Sequence, residues 1–322
     1  MSGLEKALSK YREAVVIYNP YAGRMARKTH LLQRTIKEFE KQGIVARLAP
    51  TTGPNTAAGV ASRAIDEGVD LVIAAGGDGT VNEIANGMVG SDVPLALLPG
   101  GTANVLAHEL KMKGGIVGAA SALPNMVPRK ISVGLLRGEN YRRYFLLMAG
   151  AGLDARIVYD MNLDLKAAIG RLAYYICGFG HVFRKVPQFD VEFDGKRHRC
   201  GFALVSRVRN YGGDLEIARG ASLLRTDFEV VLFEGENSVG YLRYLAAVLL
   251  GHAEKLKGIT VARATKIACY APSDSRIHTQ IDGELACPLP VAMEIVPEAI
   301  TLLAPGAYFE REQAMHRATV CA

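Results

Sequence analysis

The residues best suited to chemistry lie at positions 74–87, Ala-Ala-Gly-Gly-Asp-Gly-Thr-Val-Asn-Glu-Ile-Ala-Asn-Gly. An apolar run at 70–75 predicts a buried strand, after which glycines allow backbone amides to approach a ligand, and a helix is expected to begin at Thr80. Thr80 and Glu83 have the spacing of a capping box. Amides and a helix dipole at such a corner favour an anion, and phosphate is the expected one. Asp78 places a carboxylate there, which a cation or a proton transfer would make tolerable. The combination indicates phosphoryl transfer.

The first half of the chain alternates between the patterns of strands and helices. Apolar periodicity predicts strands at 14–18, 44–48, 70–75 and 94–98, and helices at 27–42 and 55–67 and from Thr80 onward. Asn55 is expected to cap the helix at 55–67. Such alternation is typical of a doubly wound parallel sheet, whose ligands bind beyond the carboxyl ends of the strands. The loops at 19–23, 76–79 and 99–104 should therefore meet at one edge.

The pattern changes near residue 131 to β-rich runs separated by turn signals. Asp194-Gly195 and Asp282-Gly283 each lie between alternating residues, which indicates hairpins. Two further helices are expected at 164–183 and 239–251. The predicted fold class is α/β, with an N-terminal doubly wound parallel-sheet nucleotide domain and a C-terminal, mostly antiparallel β-sandwich domain. We expect the first domain to cover residues 1–132, rejoined by 300–322, and the second to cover 133–299.

The composition is that of a globular protein. The chain has 322 residues, of which 49% are hydrophobic and 22% charged, with a formal net charge of +6. No apolar stretch is long enough to span a bilayer and no secretory signal is visible, so a cytoplasmic location is expected. Five scattered cysteines without metal-ligand spacing indicate reduced structural thiols. The positive charge fits an anionic membrane surface, an anionic substrate or ordinary solvated faces, while dispersed Arg and Lys make nucleic acid the least expected partner.

Three ordered motifs carry a family resemblance. They are Asn-Pro-x-Ala-Gly at 19–23, Gly-Gly-Asp-Gly-Thr-x-Asn-Glu at 76–83 and Leu-Pro-x-Gly-Thr-x-Asn at 98–104. No Walker A, protein-kinase or zinc-protease signature is present, so phosphoryl chemistry would use another architecture. Together the motifs resemble the bacterial diacylglycerol and lipid kinase family, whose catalytic domain is shared with diacylglycerol, ceramide and sphingosine kinases of eukaryotes. The resemblance continues through residues 150–155, Lys166, Gly170, Arg171, Tyr174 and Asp282-Gly283-Glu284.

The resemblance implies a lipid kinase that uses ATP and Mg²⁺ and transfers the γ-phosphate to a hydroxyl of diacylglycerol or a related lipid, held in the cleft between the domains. It implies transient association with a membrane surface and no transmembrane segment. The family's ATP-binding positions fall here on Asn19, Pro20, Tyr21, Ala22, Gly23, Thr51, Gly76, Gly77, Asp78, Gly79, Thr80, Val81, Asn82 and Thr102.

The resemblance also suggests which carboxylate accepts the proton of the lipid hydroxyl. Glu284 is our first choice and Asp282 the second, although Asp282 also suits the ordinary Asp of an Asp-Gly turn. Asp78 is the third choice, or else a residue linked to Mg²⁺. Bacterial members have a structural Mg²⁺ site made of one Asp carboxylate and neighbouring backbone carbonyls, which by position would here use Leu224, Asp227 and Glu229. In this chain Phe228 follows Asp227, where the family usually has glycine.

Two further departures from the family fall in one acidic network. Val105 and Ser132 stand where the family commonly has Asp, so Asp78 has fewer like-charged neighbours and should ionise more easily. Two alternative functions stay open: a catalytically inactive nucleotide or lipid sensor, and a kinase of a soluble hydroxyl as in NAD kinase. The segment 163–185 fits either contact with a bilayer or core packing. A homodimer is one alternative for the oligomeric state.

Overall fold

The computed structural model describes residues 10–21, 29–153, 155, 186–211, 215–235, 243–244, 256–273 and 276–320. The helix expected at 164–183 lies outside these ranges, as does that at 239–251 except for residues 243–244. Asp154, Lys166, Gly170, Arg171 and Tyr174 also lie outside them. The chain divides into two compact units, Met1–Ile131 with Glu298–Ala322, and Ser132–Pro297. The domains expected from the sequence, 1–132 with 300–322 and 133–299, stay a prediction.

Strands and helices are numbered here in chain order. The strands are β1 Glu13–Tyr18, β2 Val45–Pro50, β3 Leu71–Gly76, β4 Leu95–Pro99, β5 Met126–Gly138, β6 Tyr141–Phe145, β7 Met148–Gly152, β8 Phe189–Phe193, β9 Lys196–Cys200, β10 Phe202–Ser206, β11 Asn210–Tyr211, β12 Leu215–Glu216, β13 Phe228–Phe233, β14 Ile259–Ala264, β15 Lys266–Tyr270, β16 His278–Ile281, β17 Glu284–Pro288 and β18 Val291–Pro305. The helices within the described ranges are α1 Thr29–Lys41, α2 Ala57–Asp66, α3 Asp78–Asn86, α4 Val105–Glu109, α5 Gly115–Ala122 and α6 Gly306–Val320, with a 3₁₀ turn at Leu123–Asn125.

The first unit is built on a parallel sheet in the order β2-β1-β3-β4-β18. All six residues of β3 are buried, as is usual where helices cover both faces of a sheet. Tyr18 lies opposite both Pro50 and Ala75, and Gly76 lies opposite Pro99. The carboxyl ends of β1 to β4 therefore meet at one edge, which confirms the predicted architecture.

Helices fix the direction in which β3 continues into α3. On one face of the sheet, Leu32 and Phe39 of α1 and Ile116 of α5 pack against strand residues such as Ile73. Gly87 directly follows α3 as its C-cap, and a Cβ there would overlap the carbonyl of Ala58 in α2, so α2 and α3 approach closely. This packing holds the amino end of α3 at the edge where the strands end.

Two predicted helix caps are wrong. The helix expected from Thr80 begins at Asp78 with Gly77 as its N-cap, and no side chain caps it. Glu83 instead accepts a hydrogen bond of 3.3 Å from the amide of Ala57, the first residue of α2. Asn55 has a φ of 61° and precedes the true N-cap. The capping box fails because Glu83 satisfies the orphan amide of a neighbouring helix.

The second unit contains an antiparallel sheet in the order β14-β13-β10-β7-β16-β17. Its buried side chains share one apolar core with strands β5, β8, β15 and β18, which gives the predicted sandwich. In this core the rings of Phe145 and Phe228 stack at a centroid distance of 5.6 Å. Both predicted hairpins are confirmed, Asp194-Gly195 between β8 and β9 and Asp282-Gly283 between β16 and β17. All four turn residues have positive φ, as a type I′ turn requires.

Among the described residues, no helix is both long and apolar enough to cross a bilayer. Cys200 and Cys269 are buried free thiols. Burial raises the pKa of both, that of Cys269 to about 12, so they are packed as neutral thiols.

Candidate functional site

The central loop of the first unit joins β3 to α3. The side chain of Thr80 packs against the backbone of Gly76, so closely that a Cβ on residue 76 would lie 2.8 Å from the Thr80 Cβ. Gly77 precedes the nine-residue α3, whose first turn contains Gly79 and Thr80. Amides of a first helical turn have no intrahelical acceptor. The edge of the sheet therefore carries a helix amino terminus that suits a phosphate group.

Asp78 joins this loop to the next one. Its Oδ2 accepts a hydrogen bond of 3.0 Å from the amide of Val105, and its Oδ1 accepts one of 3.2 Å from the amide of Leu106. These two residues form the amino end of α4. The carboxylate thus binds the positive end of a short helix from 27 residues away in sequence. We assign Asp78 to holding the two loops together.

The loop at 99–104 is shaped by close backbone contacts. The amide of Gly100 donates to the carbonyl of Gly76 over 2.9 Å. Gly101 lies against Gly77 so closely that a Cβ on either residue would crowd the other's Cα. Asn104, in the left-handed region at a φ of 50°, accepts a bond of 2.8 Å from the Gly101 amide and donates one of 2.9 Å to its carbonyl. Glycines at 77 and 101 are therefore steric requirements.

The other predicted nucleotide residues of the first unit have varied environments. Asn19 accepts a bond of 2.9 Å from the amide of Tyr21, and the Tyr21 side chain is 80% exposed. Thr51 is buried, and its amide donates to the carbonyl of Tyr18 over 2.8 Å. Pro20 and Thr102 are half-buried. Ala22 and Gly23 lie outside the described residues.

Two of the predicted nucleotide-binding residues lie within α3, and their contacts stabilise that helix. Val81 and Asn82 are buried. The side-chain amide of Asn86 donates to Oδ1 of Asn82 over 2.6 Å and to the Asn82 carbonyl over 2.9 Å. These contacts rigidify the helix one turn beyond its amino end.

Asp282, in the second unit, has a carboxylate that is bound by backbone amides. Its Oδ2 accepts from the amide of Leu146 over 2.9 Å, and its Oδ1 accepts from those of Leu147 and Met148 over 3.0 and 2.8 Å. The Asp282 amide donates in turn to the carbonyl of Met148 over 2.9 Å. The carboxylate therefore fixes the turn between β6 and β7, as well as beginning its own hairpin.

Glu284 differs from Asp282 although it lies only two residues away. Its side chain is 42% exposed and accepts a hydrogen bond of 2.8 Å from Nη2 of Arg143 in β6. Burial alone would lower the pKa of Arg143, but Glu284 and Tyr141 outweigh it and raise that pKa above its ordinary value. Burial also raises the pKa of Tyr141, so both neighbours stay protonated at neutral pH. Glu284 is thus an accessible carboxylate held by one charged partner.

The residues proposed for a structural Mg²⁺ site do not fit a divalent cation. Both oxygens of Asp227 accept from Arg225, over 2.7 and 2.6 Å, and Oδ1 also accepts from Arg263 over 3.2 Å. Glu229 is buried, with its Oε2 3.6 Å from Nη2 of Arg263. The amide of Leu224 donates to Oγ of Ser222 over 3.3 Å. Within the described ranges, no group of three or more His, Cys, Asp or Glu is arranged around a common point for a metal.

The same ion pairs predict a pH dependence of stability. Burial would raise the pKa of Asp227, but Arg225 and Arg263 outweigh it, and the pKa lies below the ordinary value of 3.8. A carboxylate with a depressed folded pKa stabilises above its unfolded pKa and loses that contribution as the pH falls. We expect the urea midpoint of the wild type to fall more steeply below about pH 4 than that of Asp227→Asn. Equal slopes would contradict this, and the exposed turn variant Asp194→Asn is the control.

Sequence reasoning missed two arginines of the second unit. Arg143 lies two residues after Tyr141 on β6, and its contact with Glu284, 141 residues away, depends on the fold. Arg207 is completely buried. The sequence contains a pattern that indicates this burial, because Arg207 directly follows the largely apolar run Phe-Ala-Leu-Val-Ser at 202–206. A charged side chain next to such a buried run must be paired.

Comparisons with known proteins agree with this architecture. The family described as the diacylglycerol kinase catalytic domain matches residues 13–136, and the YegS C-terminal NAD kinase beta sandwich-like domain matches residues 148–304. A diacylglycerol kinase of Bacillus subtilis is 31% identical over 285 residues, which cover 87% of this chain and 92% of that protein. One from Staphylococcus epidermidis is 28% identical over 310 residues, covering 94% and 95%. A crystal structure of a diacylglycerol kinase from Bacillus anthracis superposes with a TM-score of 0.72 at 21% identity, covering 93% of this chain and 99% of that one. The two domain matches in this order, together with the Bacillus subtilis relative, show that this chain belongs to the diacylglycerol kinase family.

Proposed function

We propose that the protein transfers the γ-phosphate of ATP to a hydroxyl group of diacylglycerol or a related lipid, at a membrane surface with which it associates transiently. The observation that carries this proposal is the pair of glycine loops at the edge of the parallel sheet, held together by Asp78. Family membership supports a kinase, and the names of the relatives support a lipid as acceptor.

In this proposal the nucleotide phosphates bind the loops that end β1, β3 and β4. The amides at the start of α3 donate to phosphate oxygens, and Thr80 and Thr102 supply hydroxyl groups. Mg²⁺ bound together with ATP would supply positive charge for the phosphate oxygens. Asp78 acts by keeping α4 and the loop before it in position, because its two oxygens accept backbone amides there. Phosphoryl transfer depends mostly on such positioning.

We propose Glu284 as the group that accepts the proton of the lipid hydroxyl. Its accessible carboxylate and single guanidinium hydrogen bond leave acceptor capacity for a substrate. Asp282 is the weaker choice, since three backbone amides already donate to its oxygens. A base must reach the proton that it accepts, so exposure decides between these two neighbours.

The experiment that tests the function offers labelled ATP and Mg²⁺ to the full-length protein with a panel of acceptors. The panel contains diacylglycerol, monoacylglycerol, ceramide and sphingosine in mixed micelles, and NAD without lipid. Label on a lipid supports the proposal. Label on NAD alone would replace it with a kinase of a soluble hydroxyl, and ATP binding without turnover on any acceptor would indicate a sensor.

We expect Glu284→Gln to lower kcat about 100-fold, because general base catalysis contributes at least this much. The amide is similar in size and keeps a hydrogen-bond acceptor for Arg143, so KM for ATP and thermal stability should change little. Steady-state kinetics on the best lipid of the panel measures the effect.

The matched control for this variant is Glu294→Gln. Glu294 accepts hydrogen bonds of 2.8 and 3.2 Å from Nη2 and Nε of Arg137 on the paired strand β5, whereas Arg143 and Glu284 lie in different sheets. The control therefore neutralises the carboxylate of another Arg–Glu ion pair of the second unit, one with no proposed catalytic part. Equal rates for the two variants would remove Glu284 from the mechanism.

A further inference from the structure

Arg207 has an unusual environment in the second unit. It follows β10, and none of its surface is exposed. Its Nη1 donates to the carbonyls of Arg225 and Asp227 over 2.7 and 2.8 Å. Its Nη2 donates to those of Leu223 and Ser132 over 2.8 and 3.2 Å. The two terminal nitrogens of an arginine carry four N–H groups, and here they meet four backbone carbonyls.

Three of these carbonyls alternate along one segment, at residues 223, 225 and 227. Backbone carbonyls that converge on one positive centre are a common way for proteins to bind a hard metal ion. Here the positive centre is a guanidinium that belongs to the chain. The 222–229 segment, as we call Ser222 to Glu229, is therefore folded around a cation that cannot dissociate.

The net charge around the 222–229 segment disfavours the binding of a second cation. The guanidinium groups of Arg207, Arg225 and Arg263 outnumber the carboxylates of Asp227 and Glu229, so these five side chains carry a net positive charge. Both oxygens of Asp227 already accept from guanidinium groups. A divalent ion here would have to displace these hydrogen bonds against repulsion from the neighbouring guanidinium groups at a half-buried site.

We infer that Arg207 is the resident cation of the 222–229 segment, and that this segment folds without a divalent metal and binds none. The family resemblance implies a Mg²⁺ site at Leu224, Asp227 and Glu229, so the inference distinguishes this chain from the family pattern. One consequence rests on the proposed kinase function. At a saturating, fixed concentration of the Mg²⁺–ATP complex, additional free Mg²⁺ should not raise the rate.

The first test is thermal unfolding of the full-length wild type without nucleotide. We expect the same Tm within about 1 °C in EDTA and in millimolar MgCl₂ or MnCl₂ at matched ionic strength. A saturable rise of several degrees that disappears in Asp227→Asn would overturn the inference. A rise that persists in Asp227→Asn would come from metal bound elsewhere and would keep the segment metal-free. This readout needs no activity, so it stays independent of whether the protein phosphorylates a lipid.

The second test replaces the internal cation. Arg207→Met keeps an apolar stem but removes the hydrogen bonds that Arg207 donates to four carbonyls, and we expect Tm to fall by about 6 °C or more. Arg209→Met is the control, because Arg209 is only half-buried; its Nε donates to the carbonyl of Arg219 over 3.1 Å. Equal shifts for the two variants would contradict the inference.

A smaller side chain allows chemical rescue. Arg207→Ala leaves space for a free cation, so we expect low millimolar guanidinium to raise the Tm of this variant and not that of the wild type. Rescue by Mg²⁺ but not by guanidinium would show that the carbonyl cluster prefers a metal and would overturn the assignment. If Arg207→Ala does not fold, the wild-type metal titration and Arg207→Met still decide the question.

Discussion

Replacing Asp78 with alanine is expected to lower the rate of phosphoryl transfer by about 100- to 1,000-fold, because a displacement of about 1 Å in a reacting group costs two orders of magnitude. The carboxylate accepts the amides of Val105 and Leu106 and so holds α4 beside the β3–α3 loop. Its loss also removes a cap, which should lower the free energy of unfolding by about 1 to 2 kcal/mol. Kinetics on the lipid acceptor and urea unfolding measure the two effects.

Two further variants separate positioning from charge at this residue. Asp78→Asn keeps one acceptor oxygen, so we expect a rate between those of the wild type and Asp78→Ala. Asp92→Ala is the control, since Asp92 is an exposed residue of the same unit whose carboxylate pairs with Lys130 over 2.8 Å. If Asp78→Ala retained the wild-type rate, the two loops would not form the phosphate site.

Val105 and Ser132, which stand where the family commonly has Asp, each make a backbone contact in this structure. Residue 105 contributes its amide to Asp78, and residue 132 contributes its carbonyl to Arg207. Both are backbone groups, so valine and serine supply them as well as aspartate would. The side-chain changes therefore leave both contacts in place.

The local features of the fold could be predicted from the sequence. Periodicity gave the parallel strands, and Asp-Gly pairs gave the two hairpins, because each signal lies within a few neighbouring residues. The hydrogen bonds of Asp78 and Glu83 could not be predicted in this way. Their partners lie 27 and 26 residues away, and many polar side chains compete for the unpaired amides at helix starts.

The candidate site shows the same division. The motif positions of the glycine loops were identifiable because only glycine permits contacts such as that between Gly77 and Gly101. The roles of the carboxylates depended on partners that no motif contains. Three amides at 146–148 turn Asp282 into an anchor, while Arg143 orients Glu284. The family resemblance placed Glu284 before Asp282 as the base without reference to these partners, and that order stays a prediction.

Asp282→Ala is expected to lower the free energy of unfolding by about 3 to 5 kcal/mol, because it leaves three buried amides without their charged acceptor. Urea unfolding of the full chain measures the change. Asp194→Ala is a closely matched control. Asp194 also begins an Asp-Gly hairpin at a φ of 50°, against 49° for Asp282, but its side chain is exposed. Both variants force alanine into the left-handed region, so the difference between them isolates the carboxylate contacts.

This comparison also decides the catalytic assignment. If Asp282 is an anchor, Asp282→Ala should lose stability far more than Asp194→Ala. At temperatures where it stays folded, its pH–rate profile should keep the wild-type shape, because Glu284 still accepts the proton. A variant with normal stability and a rate reduced 100-fold would reverse the assignment and make Asp282 the base. The ranking of the two acids thus depends on measuring stability and rate in the same variant.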